Sequence, residues 1–268
     1  MMPTSHDGGP TRGGGTLVVA LGEYDTGWHS PSASLDRAEA LVARAAVGGA
    51  RLVALPEMAT TGFTMDTSHA VTIDSPDVHR LRQIARHNGV WLIAGVALRE
   101  RIDEADTVVN AALVINPTGA INAVHRKQRL FAFAGEHDRY REGDRATVVV
   151  IDGVRVALFI CYELRFPELF RAVAHHTDVM LVIANWPAAR RAHWDALLVA
   201  RAIENQCVVL GVNRVGTGGG VDYDGGSAAH DAWGVPLASA PGDTRIVTVD
   251  PVHVAAIRGE YPFLRDVR

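Results

Sequence analysis

The sequence predicts an α/β fold in which a mixed β-sheet carries helices on its outer faces. Short β-rich runs alternate along the chain with segments whose apolar residues repeat at helical spacing. Two pairs of strands are joined by tight-turn signals, which predicts antiparallel neighbours, whereas strand–helix–strand segments predict parallel ones. We find no internal repeat and no linker-like change of composition, so residues 16–268 are expected to form one domain.

The first part of the chain alternates between strands and helices. The first helix is expected to begin at Ser34, whose side chain would cap it, and to end at Gly48-Gly49. A second helix is predicted to begin at Ser75-Pro76 and to end at Gly89. Runs of aliphatic and β-branched residues predict strands at 16–23, 51–55 and 90–97.

Two hairpins and further strand–helix units follow. The turn signals are Asn-Pro-Thr-Gly at 116–119 and Asp-Gly at 152–153. The strands around them are predicted at 108–115, 120–125, 147–151 and 154–160. Helices are then predicted at 167–175 and 193–205, and strands at 179–184, 207–212, 227–231 and 246–249. The glycine-rich run 216–220 lacks the Lys-Ser/Thr of a phosphate-binding loop, so a flexible loop is expected there.

The composition is typical of a soluble globular protein and excludes several classes of function. Of the 268 residues, 48% are hydrophobic and 21% are charged, and the formal net charge is -4. A slightly acidic balance gives no reason to expect a nucleic-acid or anionic-membrane surface. No apolar run approaches the ~20 residues that a membrane-spanning helix needs. The N-terminal residues 1–15 lack the apolar core of a secretory signal and are expected to form a disordered leader.

The two cysteines, Cys161 and Cys207, are too few for a disulfide framework. A cytoplasmic location, where a thiol stays reduced, is therefore expected. Adjacent residues of a helix point apart, so His175-His176 is not expected to form a metal site.

Chemically distinctive residues follow four of the predicted strands. Glu57, Lys127, Cys161 and Asn185-Trp186 each come directly or almost directly after a strand. Because strand ends position loop residues around a shared crevice in α/β folds, we expect these side chains to form one site.

The two cysteines differ in their surroundings. Free cysteine is most often a buried small apolar residue, and Cys207 lies within such an apolar strand. Cys161 instead ends an apolar strand and precedes the polar run Tyr162–Arg165. A thiol at a strand-to-helix turn is accessible from a cleft and lies near backbone N–H groups that can stabilise negative charge.

Glu57 and Lys127 each have an ordinary alternative interpretation. Most glutamates are solvated, but partial burial after a strand and a proline would raise the pKa of Glu57 towards that of a useful base. Lys127 lies in a basic run, 125–129, that would equally well face water.

Several separated motifs together resemble the nitrilase, or carbon–nitrogen hydrolase, superfamily. They are LPEM (55–58), HRKQRLF (125–131), GEHDRYREG (135–143) and ICYELRFPELF (160–170). The stretches 184–187 and 193–216 further resemble the omega-amidase branch, whose members hydrolyse the terminal amide of 2-oxo acid amides such as 2-oxoglutaramate. One departure is Ala232-Trp233, which stands where the family usually has a proline.

The resemblance implies a four-layer α-β-β-α sandwich, a homodimer, and neither cofactor nor metal. It implies a triad of Glu57, Lys127 and Cys161, with Glu136 as a second glutamate near the lysine. We expect Cys161 to attack the amide carbonyl and form a thioester, Glu57 to act as base, and Lys127 with the Tyr162 N–H to hold the oxyanion. Glu136 would orient Lys127 or the substrate amide.

The remaining expectations concern the substrate. Arg165 is the candidate for binding a substrate carboxylate, because a guanidinium can hold one bidentately. An ion pair with Glu163 or Glu168 is the structural alternative for it. The other side chains expected to line the pocket are Asn185, Trp186 and Phe133.

Other functions remain open from the sequence. The substrate would alternatively be an N-carbamoyl compound or another small amide, or an amine would replace water as the acyl acceptor. A papain-like Cys–His hydrolase would use His125, His137 or His193 as base. A non-catalytic binding module on the same scaffold is the last alternative, and it would not need Glu57, Lys127 and Cys161 intact.

Overall fold

Two β-sheets face each other across a shared apolar core in the computed structural model, which describes residues 15–240 and 244–267. In chain order the elements are β1 (Leu17–Leu21), α1 (Pro31–Val47), β2 (Leu52–Ala54), α2 (Pro76–Asn88), β3 (Trp91–Ile102), β4 (Ala105–Ile115), β5 (Ile121–Arg126), β6 (Thr147–Ile151), β7 (Val154–Ile160), α3 (Pro167–Val173), β8 (Val179–Ile183), α4 (Arg191–Asn205), β9 (Val208–Val212), β10 (Val215–Gly218), β11 (Val221–Asp224), β12 (Ala228–His230), β13 (Arg245–Val249) and α5 (Pro251–Glu260). The predicted leader, 1–15, lies outside the described residues apart from Gly15.

Each main sheet has three parallel strands at its centre and antiparallel strands at its edges. The first has the order β13-β1-β2-β3-β4-β5, and the second has the order β12-β9-β8-β7-β6. Strands β1, β2 and β3 are parallel, as are β7, β8 and β9. The carboxyl ends of these strands therefore lie at one edge of each sheet.

The helices cover the outer faces, which gives four layers. Leu35 and Leu41 of α1 and Leu81 of α2 pack on the outer face of the first sheet. Phe170 of α3 and Leu198 of α4 pack on the outer face of the second sheet. The α-β-β-α sandwich that the family resemblance implied is thus confirmed. The strand pattern alone predicted a mixed sheet with helices outside, and the structure has two such sheets. Strand patterns show which face of each strand is buried, but not which strands share a sheet.

The predicted elements are confirmed with shifts of a few residues at most ends. Helix α2 begins as predicted: the Ser75 hydroxyl oxygen accepts a hydrogen bond from the Val78 N–H at 3.4 Å. Gly89 ends it in the left-handed conformation at φ +62°. Helix α1 begins three residues earlier than predicted, because Pro31 occupies its first turn. Ser34 is buried inside that turn and its hydroxyl donates to the Thr26 carbonyl oxygen, so it does not cap the helix.

Three segments differ more. Strands β3 and β4 extend into a long hairpin whose turn is formed by Asp103 and Glu104, both at positive φ. The flexible loop expected at 216–220 is wrong, because Val215–Gly218 pairs with Val221–Asp224 in a hairpin. Helix α5 was not predicted, although Pro251 begins it and the Asp250 carboxylate caps the Val252 N–H at 2.8 Å. None of the helices in the described part of the chain is both long and apolar enough to cross a bilayer.

Candidate active site

The residues predicted at the strand ends surround one cavity. Glu57 follows β2, Lys127 follows β5, Cys161 follows β7 and Asn185 follows β8. The cavity has a volume of about 480 Å³, and Lys127, Cys161 and Asn185 line it. Its remaining lining is Phe63, Phe131, Phe133, Ala134, Tyr162, Arg165, Trp186, Pro187, Ala189, Arg190, Gly220, Val221, Asp222 and Tyr223. The solvated basic run that was the alternative for Lys127 is excluded, since this side chain is fully buried.

Lys127 lies between two buried carboxylates. Its Nζ is 2.8 Å from Glu57 Oε1, and 3.1 and 3.0 Å from the two carboxylate oxygens of Glu136. Burial alone would lower the pKa of Lys127, but the charges of Glu136 and Glu57 outweigh burial and raise this pKa well above its ordinary value. Lys127 is therefore a fixed positive charge at neutral pH. Glu136 lies where the prediction put it, beside the lysine.

Glu57 is held in its ionised form. Although burial opposes ionisation, the Lys127 ammonium and hydrogen bonds from Asn110 and the Asn185 N–H lower the pKa of Glu57. The Asn185 N–H donates to Glu57 Oε2 at 2.9 Å, and Asn185 Nδ2 donates to the Glu57 carbonyl oxygen at 2.6 Å. The expectation that burial would raise the pKa of Glu57 is wrong. The carboxylate is completely buried, but the Lys127 charge and the hydrogen-bond donors around it lower the pKa by more than burial raises it.

Asn110 belongs to this cluster and was not predicted. Its side-chain Nδ2 donates to Glu57 Oε1 and to Glu136 Oε1, both at 2.7 Å. It lies in the middle of β4, and its side chain is fully buried. The sequence does contain a signal for Asn110, because it is the one amide within the apolar run VVNAALVI. A buried polar group in such a strand requires a hydrogen-bond partner.

Cys161 begins the turn after β7 in a left-handed conformation, at φ +49°. Its Sγ lies 3.8 Å from the Asn185 carbonyl oxygen. Burial raises the pKa of this thiol well above its ordinary value, and the Glu57 carboxylate raises it further by its charge and as a hydrogen-bond acceptor, while Lys127 lowers it. The resting site thus holds a neutral thiol beside an ionised carboxylate. Cys207 lies in the core as predicted, and burial raises its pKa to about 12.

Aromatic side chains shape the cavity around the thiol. The Tyr162 ring lies 4.9 Å from the Phe131 ring and 5.1 Å from the Phe166 ring, centroid to centroid. Trp186 Nε1 donates to the Arg190 carbonyl oxygen at 2.8 Å, which fixes the indole against the wall. Phe133 also lines the cavity, yet the residue is 91% exposed, so it lies at the entrance.

Two guanidinium groups line the cavity. The Arg165 guanidinium lies 4.8 Å from the centroid of the Trp186 ring and 3.1 Å from His193 Nδ1. Among the described residues it forms no ion pair with Glu163 or Glu168, so that alternative is wrong. Arg190, which was not predicted, lies 5.5 Å from the centroid of the Phe131 ring. A cavity with two cations suits an anionic ligand.

The hairpin β10–β11 supplies the wall opposite the strand ends. Val221, Asp222 and Tyr223 line the cavity. The buried Arg214 anchors this hairpin. Its Nη2 lies 2.7 Å from Asp25 Oδ1, and its guanidinium carbon lies over the Tyr223 ring, 4.6 Å from the ring centroid. The sequence signal for this wall is Val-Asp-Tyr-Asp at 221–224, which follows three consecutive glycines and was therefore interpreted as part of a flexible loop.

The three histidines considered as a base do not line the cavity. His125 is buried and its Nε2 lies 3.1 Å from Glu163 Oε2. His137 is exposed beside Asp138, and His193 contacts Arg165. Within residues 15–240 and 244–267, no cluster of three or more His, Cys, Asp or Glu side chains has the arrangement of a metal site.

The chain is similar to proteins of known family. Residues 18–258 match the family model of carbon-nitrogen hydrolases. An omega-amidase YafV of Yersinia enterocolitica is 37% identical over 84% of this chain and 85% of its own. A 2-oxoglutaramate amidase of Bacillus subtilis is 32% identical over 94% of this chain and 97% of its own.

A solved structure extends the similarity to the whole fold. The protein XC1258 of Xanthomonas campestris, a CN-hydrolase superfamily protein with an arsenic adduct in its active site, superposes with a TM-score of 0.86 at 34% identity. The match covers 95% of this chain and 98% of that one. The chain belongs to the carbon–nitrogen hydrolase family.

Proposed function

We propose that the chain hydrolyses the terminal amide of a small 2-oxo acid amide, such as 2-oxoglutaramate, through a thioester on Cys161. The observation that carries the proposal is the buried cluster of Glu57, Lys127 and Glu136, whose lysine lines the same cavity as Cys161 and two arginines. The first group of residues suits attack on an amide, and the arginines suit a carboxylate on the same molecule.

Acylation begins with proton transfer from the thiol to Glu57. The sulfur forms a bond to the amide carbon, and the carbonyl oxygen becomes an oxyanion near the Lys127 ammonium and the Tyr162 N–H. The C–N bond then breaks, and Glu57 returns its proton to the departing nitrogen, which leaves as ammonia. Glu136 and Asn110 hold Lys127 and Glu57 in place throughout.

Deacylation uses the same base. Glu57 takes a proton from a water molecule that attacks the thioester carbonyl, and Lys127 again stabilises the oxyanion. The C–S bond breaks, the proton returns to the sulfur, and the carboxylic acid leaves. One water is consumed for each ammonia released.

A Glu57→Gln variant should separate amide turnover from thiol reactivity. Loss of a general base lowers turnover by about 10²–10⁴-fold. The neutral amide no longer raises the pKa of the Cys161 thiol, whereas Lys127 still lowers it, so alkylation by iodoacetamide at neutral pH should be as fast as in the wild type or faster. Ammonia release and the mass-detected alkylation rate are the two measurements.

The control for Glu57→Gln is Glu168→Gln, which changes an exposed glutamate on α3 and should alter neither rate. Undiminished ammonia release in Glu57→Gln would contradict the assignment of Glu57 as the base.

The relatives' names and the two arginines together support a 2-oxo acid amide as substrate. A relative named 2-oxoglutaramate amidase spans nearly the whole chain. Arg165 was predicted to bind the substrate carboxylate, and Arg190 lies on the same cavity. N-carbamoyl compounds, which also carry a carboxylate, are the second candidate class.

An ammonia-release screen tests the substrate class. The substrates are 2-oxoglutaramate, 2-oxosuccinamate, glutamine, asparagine, N-carbamoyl amino acids and the neutral amide butanamide. We expect the highest kcat/KM for 2-oxoglutaramate. Arg165→Met and Arg190→Met should lower that value by about 10–100-fold, the usual effect of losing a charged hydrogen bond, and leave butanamide unchanged.

The control for the arginines is Arg44→Met, at the exposed end of α1, which should leave every substrate unaffected. Highest activity on an N-carbamoyl compound, or equal losses for butanamide in both arginine variants, would overturn the substrate assignment. Adding hydroxylamine to the same assay and measuring hydroxamate reveals whether amines compete with water as acyl acceptors.

We also propose a homodimer in the cytoplasm. Exposed apolar side chains cluster beside α4, which supports an interface between two copies. The Trp233 and Tyr261 rings are 5.0 Å apart, centroid to centroid, and the Tyr261 and Phe263 rings are 5.9 Å apart. Ile203 lies next to Gly234, which directly follows Trp233. A free reactive thiol suits a reducing compartment.

A further inference from the structure

Glu163 is a fully buried carboxylate to which the proposed mechanism gives no role. It accepts hydrogen bonds from the Ile160 N–H at 2.5 Å, the Gln128 N–H at 2.8 Å and the His125 ring at 3.1 Å. An apolar side chain is the ordinary occupant of such a position, because burial of a carboxylate is costly unless it is well partnered. The three donors therefore indicate a specific use for this group.

The two backbone donors flank the catalytic residues along the chain. Ile160 directly precedes Cys161, and Gln128 directly follows Lys127. Oε2 of Glu163 binds the first donor and Oε1 binds the second, so one carboxylate joins the two segments. These segments come from different sheets, since β5 belongs to the first and β7 to the second. The spacing between ammonium and sulfur thus depends on this bridge.

His125 fixes the orientation of the carboxylate. Since a carboxylate can only accept, His125 Nε2 carries the proton in this contact. The other ring nitrogen lies 3.3 Å from Thr147 Oγ1 on β6. The ring is fully buried, two residues before Lys127 on β5. The bridge is therefore held from both sheets.

The Glu163 bridge also bears on the left-handed backbone conformation of Cys161. A non-glycine residue at φ +49° is held there only when its surroundings determine it. Glu163 lies in the turn that begins at Cys161, and its carboxylate accepts the N–H of Ile160, the residue before Cys161. It therefore holds the backbone on both sides of Cys161.

We propose that Glu163, oriented by His125, is a positioning residue that sets the placement of Cys161 relative to Lys127. The proposal rests on the proposed roles of these two residues. A misplacement of about 1 Å in an active site lowers turnover by about 10²-fold. The bridge does not line the cavity, so substrate binding should not depend on it.

Glu163→Gln tests the proposal, because the amide replaces one acceptor oxygen with a donor that faces an N–H. We expect kcat to fall by about 10²-fold with KM within about twofold of the wild type. His125→Leu keeps both backbone hydrogen bonds and should lower kcat by less. It also tests the proposal if Glu163→Gln does not fold.

Asp178→Asn is the matched control. Asp178 is another buried carboxylate that accepts a backbone N–H, from Arg155 at 3.0 Å, and side-chain donors, but at the opposite end of β7. In urea unfolding, the Asp178→Asn variant should lose about as much free energy of unfolding as Glu163→Gln, and its kcat should stay unchanged. A fall in kcat for Glu163→Gln or His125→Leu no larger than for Asp178→Asn at equal loss of stability would overturn the proposal.

The pH dependence of Cys161 alkylation by iodoacetamide separates this proposal from the proposed function. We expect the profile to shift in Glu163→Gln and to stay unchanged in Asp178→Asn. If the wild type released no ammonia from any amide, the proposed function would fail, and this shift would still decide the positioning role. Identical profiles in wild type and Glu163→Gln would overturn it.

Discussion

A Cys161→Ala variant is expected to fold normally and to release ammonia at least about 10⁴-fold more slowly than the wild type. Removal of a nucleophile that acts together with a base typically has an effect of this size or larger. Only one sulfur atom is lost, next to a cavity, so little packing free energy is lost with it. Ammonia release with 2-oxoglutaramate and the circular dichroism melting curve are the two measurements.

The control for Cys161→Ala is Cys207→Ala, which removes the same atom from the core beneath α4. It should lower stability slightly and leave turnover unchanged. Comparable activity in Cys161→Ala and the wild type would refute the role of this sulfur.

A Lys127→Met variant is expected to lose both activity and a large part of the folding free energy. Methionine has a similar length, but it leaves the carboxylates of Glu57 and Glu136 buried without the cation that lies 2.8 and 3.0 Å from them. Breaking a buried ion pair from one side costs about 3–5 kcal/mol. Urea unfolding measures this loss, and ammonia release should be undetectable because the charge that stabilises the oxyanion is gone.

The double variant Lys127→Met/Glu136→Gln distinguishes electrostatics from packing. Removing one of the two stranded carboxylate charges should restore a substantial part of the lost stability but none of the activity. If the double variant were as unstable as Lys127→Met, lost packing rather than unpaired charge would account for the destabilisation. If Lys127→Met kept its activity, the proposed oxyanion charge would be wrong.

The sequence predicted most of the elements because local chemistry determines them. The Ser75 cap with Gly89, and the turn at 152–153, are set by a few neighbouring residues, and the structure has them as predicted. The division of the strands into two sheets is different, since it depends on contacts between residues far apart in the chain. Family resemblance supplied that architecture, which strand patterns alone did not.

The residues of the candidate site that could be predicted from the sequence are those that directly follow a strand. Glu57, Lys127 and Cys161 were found in this way, and Glu136 through the resemblance. Asn110 was missed because it lies inside a strand, where its role follows only from two carboxylates brought close by the fold. The direction of the Glu57 pKa could not be predicted either, because burial and a nearby cation have opposite effects and their balance depends on distances.

The cavity wall was the least predictable part. Arg190 and the hairpin β10–β11 lie on segments whose sequence looks like ordinary loop. The position of the hairpin depends on the ion pair between the buried Arg214 and Asp25, which are 189 residues apart in the chain.

Mass spectrometry of enzyme quenched with acid during the first turnover tests the central claim most directly. The account predicts that Cys161 then carries an adduct with the mass of 2-oxoglutaramate minus ammonia, and that hydroxylamine removes it as a hydroxamate. Ammonia release at the full rate with Cys161 unmodified at every quench time, or with the adduct on another side chain, would contradict the account.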